Sequence, residues 1–131
     1  ACEYCHQPGS GHERQCAQKD DMQQLYPALD EADMLVLASP IYYHGFSGQL
    51  QCALNRIYAL DRPRRLRQAA LILSSGDADV YEGAEYEYRR SFLEYLGLEN
   101  MGIYTFCEAR DVLAQKQEEL YRFGKSLTGN P

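Results

Sequence analysis

Apolar residues recur at spacings of three and four at Met22, Leu25, Tyr26 and Leu29, the one-face pattern of an amphipathic helix. Asp20 or Asp21 is placed to cap it. Pro27 argues against a long helix here unless it lies in the first turn or kinks the axis. Met34 to Ala38 is then a continuous apolar run of strand length, closed by Ser39-Pro40. Such a run suits a strand buried on both faces of a parallel sheet. The alternation repeats twice. Ser47 can cap a helix whose apolar face is Leu50, Ala53, Leu54, Ile57 and Tyr58, ending before Arg62-Pro63. Ala69 to Leu73 is a second buried strand, stopped by Ser74-Ser75-Gly76-Asp77. Tyr81 to Leu96 reads as one helix with Tyr88, Phe92, Tyr95 and Leu96 on one side, and Gly97 ends it. Met101 to Cys107 is a third strand, and Asp111 caps a last helix through Val112, Leu113, Leu120, Phe123 and Leu127. Residues 1–19 carry no apolar period and hold the turn residues Gln7-Pro8-Gly9-Ser10-Gly11.

Strands that alternate with helices predict an α/β fold with right-handed crossovers and a parallel sheet. In such a sheet the loops that follow the strands gather at one edge, where open α/β sheets bind ligands. Those loops are residues 39–46, 74–80 and 108–110. The length of 131 residues is one domain's worth. At 45% hydrophobic and 24% charged residues, the composition is that of a folded globule rather than a disordered chain.

Charge and cysteine content narrow the function classes. A formal charge of -6 repels phosphate backbones, which disfavours nucleic acid as a partner. No run of 18 apolar residues exists to span a membrane, and no charged segment followed by an apolar stretch marks a signal peptide. The five cysteines do not come with the loop-rich composition of a disulfide scaffold; Cys52 and Cys107 sit in apolar segments, where buried small hydrophobes are expected. A reducing, cytoplasmic setting is expected.

The first strand-end loop is dense in aromatic rings and glycine: Ser39-Pro40-Ile41-Tyr42-Tyr43-His44-Gly45-Phe46-Ser47-Gly48. It leads into a helix N-terminus, and the second loop is small and polar. Rings and free backbone amides suit a planar heteroaromatic ligand; a plain turn shaped by Pro40 and Gly45, with tyrosines covering the core, is the other reading.

The order Asp20-Asp21-Met22, Ala32-Asp33, Ser39 to Gly45, Ser47-Gly48-Gln49-Leu50 and Asn55-Arg56 resembles the NADPH-dependent FMN reductase branch of the flavodoxin-like superfamily. The resemblance runs from Cys2 to about Arg56 and continues more loosely through Ser74 to Asp77 and the last helix. It implies a flavodoxin-like three-layer parallel sheet and one partial domain over residues 1–131, lacking the family's first strand–loop–helix and second strand. It also implies FMN at the sheet edge. Pro40, Ile41, Tyr42, Tyr43, His44 and Gly45 match the loop lining the isoalloxazine, and Ser74, Ser75, Gly76 and Asp77 match the second ring-facing loop. NAD(P)H is implied as co-substrate and a quinone, flavin or other small molecule as electron acceptor. Hydride chemistry belongs to the flavin, so no side chain is nominated as catalytic; His44 could donate to the flavin or a substrate. Gln51 stands where the family often has Lys, and Asn55 where it usually has Asp.

The largest departure is the absent Ser/Gly/Asn/Thr-rich loop whose amides bind the FMN phosphate. Strand 34–38 would then have an open edge, so a homodimer or higher oligomer covering it, or sequence upstream of Ala1, is expected. Cys2, Cys5 and Cys16, with His6 or His12, form the other cluster of chemistry. Three thiols fall short of the four of an iron–sulfur cluster, and the spacing is irregular for zinc, so no metal is assigned and free or partly buried thiols in a loop beside the flavin pocket are expected. Arg62, Arg64, Arg65 and Arg67 read as a solvated connector, with attraction for a nicotinamide phosphate as the alternative. Tyr81, Tyr86, Tyr88 and Tyr95 read as packing or dimer contacts. The competing function is a flavodoxin-like module without cofactor, acting in oligomerisation or interaction.

Overall fold

The computed structural model describes residues 5–128; Cys2 lies outside them. The order is α1 (Met22–Glu31), β1 (Met34–Pro40), α2 (Gly48–Ile57), a 3-10 turn (Tyr58–Leu60), β2 (Gln68–Ser75), α3 (Glu82–Tyr88), a π-helical segment (Arg89–Tyr95), β3 (Glu99–Cys107) and α4 (Leu113–Leu127). The three strands form one parallel sheet in the order β1-β2-β3, with Met34 opposite Gln68 and Leu71 opposite Ile103. This is the α/β alternation read from the hydrophobic pattern.

One face of the sheet carries the core. Leu37 of β1 and Ala69, Leu71 and Leu73 of β2 pack with Tyr26 and Leu29 of α1, Leu54 and Ile57 of α2, and Ala84 and Tyr88 of α3. The opposite face is covered by α4, where the rings of Tyr104 and Phe123 lie 4.7 Å apart. That cover does not reach β1. Val36 of β1 is 43% exposed, Ala38 and Pro40 are exposed, and none of the described α4 residues is buried. β1 therefore has one solvated face, against the expectation of burial on both; its position at the sheet edge was expected. Among the described residues no helix is long and apolar enough to cross a membrane.

Local signals held at Ser47, whose side chain accepts from the Leu50 amide at 3.3 Å, and at Gly97, which takes φ +70° past the third helix. Three differed. Pro27 sits inside α1 with its ring exposed, and the helix runs through it. The stretch read as one helix from Tyr81 to Leu96 changes from α to π at Arg89. Asp111 does not cap α4; its Oδ2 accepts from the Cys107 amide at 2.7 Å, closing the turn after β3 instead.

Candidate functional site

Ser39, buried at the end of β1, sets the first strand-end loop. Its Oγ donates to the Pro40 carbonyl at 2.7 Å and accepts from the Ser47 amide at 2.9 Å, drawing the start of the loop to the start of α2. Phe46 is buried and anchors the loop from within. Between these anchors Tyr42 and Gly45 exchange two backbone hydrogen bonds of 3.1 Å, so Tyr43 and His44 form a two-residue turn. Both take left-handed backbone, at φ +49° and +64°. Turns with two positive φ angles favour Asn and Gly, and a non-glycine residue in this region costs on the order of 1 kcal/mol or more. The strained pair projects outward: Tyr43 is fully exposed and Tyr42 is 63% exposed.

The second loop is joined to the first through β2. Ile41 donates its amide to the Ser74 carbonyl at 2.8 Å, and Glu108 donates to the Ser75 carbonyl at 2.9 Å, so all three strand-end loops are tied at one edge. Ser75 Oγ lies 2.6 Å from the Asp77 carbonyl and 2.5 Å from the Tyr81 hydroxyl, which also lies 2.8 Å from the Phe106 carbonyl. Two hydroxyl protons serve these three short contacts. Asp77 Oδ1 accepts from the Ala78 amide at 2.8 Å. The α3 helix closes on the first loop at Gly83, where a Cβ would stand 2.4 Å from the His44 carbonyl oxygen.

The ten residues expected at the site thus lie on two strand ends and the loops that follow them, held together by hydrogen bonds; Pro40 ends β1, and Ser74 and Ser75 end β2. Among the described residues the amides of Tyr43, His44, Gly76 and Asp77 make no hydrogen bond. Four unspent donors beside exposed aromatic rings can meet the carbonyls of a flat heterocycle and stack on its face. The neighbouring charge is mostly negative: Asp77, Asp79, Glu82 and Glu108 are exposed, against Arg110. A phosphate is not favoured on that side. Sequence reading missed Ser39, Tyr81 and Gly83 as builders of this site. Gly83 had a readable signal, since glycine in a helix's first turn is a choice against helix propensity. Ser39 and Tyr81 had none, because their partners are set by the sheet.

The cysteine-bearing segment, expected beside the flavin loops, is instead anchored on the connection before β2. His6 Nε2 lies 3.0 Å from the Tyr58 carbonyl, and Arg14 donates to the Leu60 carbonyl at 2.6 Å, both on the connection that leads to the start of β2. The Arg62–Arg67 run is a connector whose charges are largely spoken for: Arg65 pairs with Asp33 at 2.8 Å, and Arg64 lies 3.8 Å from Asp30.

A parallel sheet with three strand-end loops forming an aromatic, amide-lined shelf defines an α/β protein of flavodoxin-like type. The NADPH-dependent FMN reductase family model matches residues 3–110, and the chain belongs to that family. It is 37% identical over 59 residues to an iron–sulfur flavoprotein of Archaeoglobus fulgidus, covering 45% of this chain and 28% of that protein. It is 34% identical over 68 residues to an iron–sulfur flavoprotein of Methanocaldococcus jannaschii, covering 50% and 32%. The chain spans less than a third of the length of these curated relatives. Among solved structures, an NADPH-quinone reductase from P. pentosaceus superposes with TM-score 0.58 at 16% identity, covering 86% of this chain and 77% of that one. The general stress protein 14 of Treponema denticola, solved in complex with FMN, gives TM-score 0.52 at 22% identity, covering 84% and 71%. These structures share the fold.

Proposed function

We propose that this chain is the ring-binding part of an FMN-dependent NAD(P)H oxidoreductase that passes electrons to a quinone, a flavin or another small acceptor. The observation that carries the reading is the strained Tyr43-His44 turn, tied to the Ser74–Asp77 loop with four backbone amides unspent. Membership of the NADPH-dependent FMN reductase family supports it, as does the FMN complex of a protein of the same fold.

When bound, FMN supplies the hydride-accepting and electron-donating chemistry. The chain's own groups bind and orient. The amides of Tyr43, His44, Gly76 and Asp77 would hold the carbonyls of the ring, and donors there would also stabilise negative charge on it. Tyr42 or Tyr43 offers a face for stacking. His44 could donate to the flavin or to a substrate. Ser39, Tyr81 and Gly83 hold the two loops in register. The acidic rim of Asp77, Asp79 and Glu108 leaves the phosphate to a loop other than these three.

Fluorescence titration of FMN with the purified chain tests the reading. Quenching that saturates, and weakens about threefold to tenfold in Tyr43→Ala, is expected for the loss of one stacking ring. Binding indifferent to both loops would remove it.

The solvated edge and face of β1 favour a second element of the proposal. In a cytoplasmic setting, a second copy covers residues 34–38, making a homodimer or higher oligomer. The same exposure favours the competing reading of a cofactor-free interaction module, which a colourless protein that ignores FMN would establish.

A further inference from the structure

We propose that the cavity between α2 and the π-helical segment is a second binding site, remote from the flavin shelf, whose ligand is a small aromatic cation of the arylammonium class. The site does not depend on the flavin reading. Its position follows from the topology. α2 starts beside the end of β1, where the Ser47 amide meets Ser39, and runs back towards the start of β2. α3 likewise starts against the His44 turn, and its π-helical continuation ends shortly before β3. The last turns of both therefore lie at the sheet edge opposite the three strand-end loops. Between them is a cavity of about 330 Å³, within the range of small-ligand sites, about 300–1,000 Å³.

The floor of the cavity is apolar, with Leu54, Ile57 and Phe92 buried. Tyr58 and Tyr95 also line it and are 60% and 50% exposed, so two rings stand at its mouth. The charge on its walls is all negative, from Asp61 and Glu87; among the described residues no lysine or arginine lines it. Asp61 takes left-handed backbone at φ +59° where the 3-10 turn ends, and among the described residues its carboxylate makes no hydrogen bond or ion pair. Glu87 accepts from Gln51 Nε2 at 2.8 Å through Oε1, which leaves Oε2 open. Ring faces beside carboxylates attract an organic cation, because the ring quadrupole and the fixed charges act in the same direction. The apolar floor takes the ligand's own ring. Tyr95 already displays this chemistry on its side away from the cavity walls. Arg62 places its guanidinium 5.9 Å from the Tyr95 ring centroid and donates to the Tyr95 carbonyl at 2.7 Å. Anions are disfavoured by the same carboxylates, and the net charge of -6 adds to the bias. The helix geometry opens the space. The Leu96 amide bonds to the carbonyl of Ser91, five residues back, at 3.2 Å, and Ser91 lines the cavity. A turn closed over five residues is wider than an α turn, and such segments recur at functional sites.

Calorimetric titration tests the site, on the chain without FMN and on the chain with FMN added to saturation. The probe is phenyltrimethylammonium. The comparisons are N,N-dimethylaniline, which is neutral at mildly alkaline pH, and the anion benzenesulfonate. Saturable binding of the cation at one site per chain is expected, at least about tenfold tighter than either comparison and the same with and without FMN. Asp61→Asn removes a carboxylate and keeps a residue that tolerates left-handed backbone. It should unfold at the wild-type temperature and bind the cation about threefold to tenfold more weakly, with the neutral amine unaffected. If Asp61→Asn does not fold, Glu87→Gln carries the same comparison. Equal affinity for the three probes, cation affinity unchanged in the carboxylate variants, or competition between the cation and FMN overturns the inference. Sedimentation of the same samples covers a different occupant: absent cation binding, together with self-association that Tyr95→Lys abolishes, makes this face a contact between copies and also overturns it.

Discussion

The carbonyl oxygen of His44 occupies the space that a side chain at position 83 would need: a Cβ built on Gly83 stands 2.4 Å from it. The helix that follows β2 and the loop that follows β1 meet backbone to backbone at this point. Gly83→Ala must push the loop away or shift the helix, and such overpacking costs about 1–3 kcal/mol. Thermal unfolding of Gly83→Ala is expected about 4 °C lower per kcal/mol lost. FMN affinity should fall with it, because the displaced residue is His44. A variant with wild-type Tm and wild-type FMN binding would show that this close approach does not matter.

The Tyr43-His44 turn yields a prediction of opposite sign for stability. Replacing both residues, Tyr43→Asn with His44→Gly, installs the pair that this turn geometry favours. Relief of two left-handed residues is expected to raise stability by roughly 1 kcal/mol. FMN affinity should drop, since the exposed ring of Tyr43 is removed. Denaturant unfolding and flavin titration on the same preparation separate the two effects. A double variant that is less stable than the wild type would contradict the strain.

Tyr88 is fully buried and donates to Asn100 Oδ1 at 3.0 Å, where the Gly102 amide also donates at 3.1 Å. Burial pushes its phenol from the ordinary value of 10.0 up to about 12. The folded state thus holds the proton more tightly than the unfolded chain. The corresponding stability is complete below the unfolded value and is lost as pH rises from about 10 towards 12. Tyr88→Phe should cost about 1 kcal/mol at neutral pH through the lost hydrogen bond. It should also flatten the alkaline limb of the stability curve. An alkaline limb unchanged in Tyr88→Phe would assign it to other tyrosines.

Asp20 gives the acid counterpart. Its carboxyl is held below the usual range, first by the hydrogen bond from Arg56 and also by the Met22 amide. Stability from this group is present above its unfolded value and is lost as pH falls through the folded one. Asp20→Asn is expected to weaken the acid dependence of cleavage within residues 5–21, read by limited proteolysis across the acid range. Identical acid profiles for the variant and the wild type would remove Asp20 from the account.

Val36 tests the association of β1. It is 43% exposed in the single chain, so Val36→Lys costs little there, within about 0.5 kcal/mol. If a second copy covers this strand, the same change buries a charge and should convert the assembly to monomers by sedimentation. A wild type that sediments as a monomer at high concentration would eliminate the proposed association.

Part of this molecule was legible one residue at a time. The runs 34–38 and 69–73 marked strands because apolar continuity is a local property, and Ser47 marked a helix start because a cap acts within one turn. The loops with Tyr42 to Gly45 and Ser74 to Asp77 could be placed at one edge from the alternation alone, since parallel strands all end on the same side. Other features depend on partners distant in sequence. Val112 and Leu113 sit in an apolar pattern yet are exposed at the start of α4. The clasp of Arg14 on Leu60 spans 46 positions, and the contact of Arg56 with Asp20 spans 36. The approach of Gly83 to His44 joins two separate loops of the sheet. Periodicity and capping are short-range and readable from order alone. Which carbonyl meets which guanidinium, and where only a glycine fits, is decided when the packed sheet brings remote backbone together.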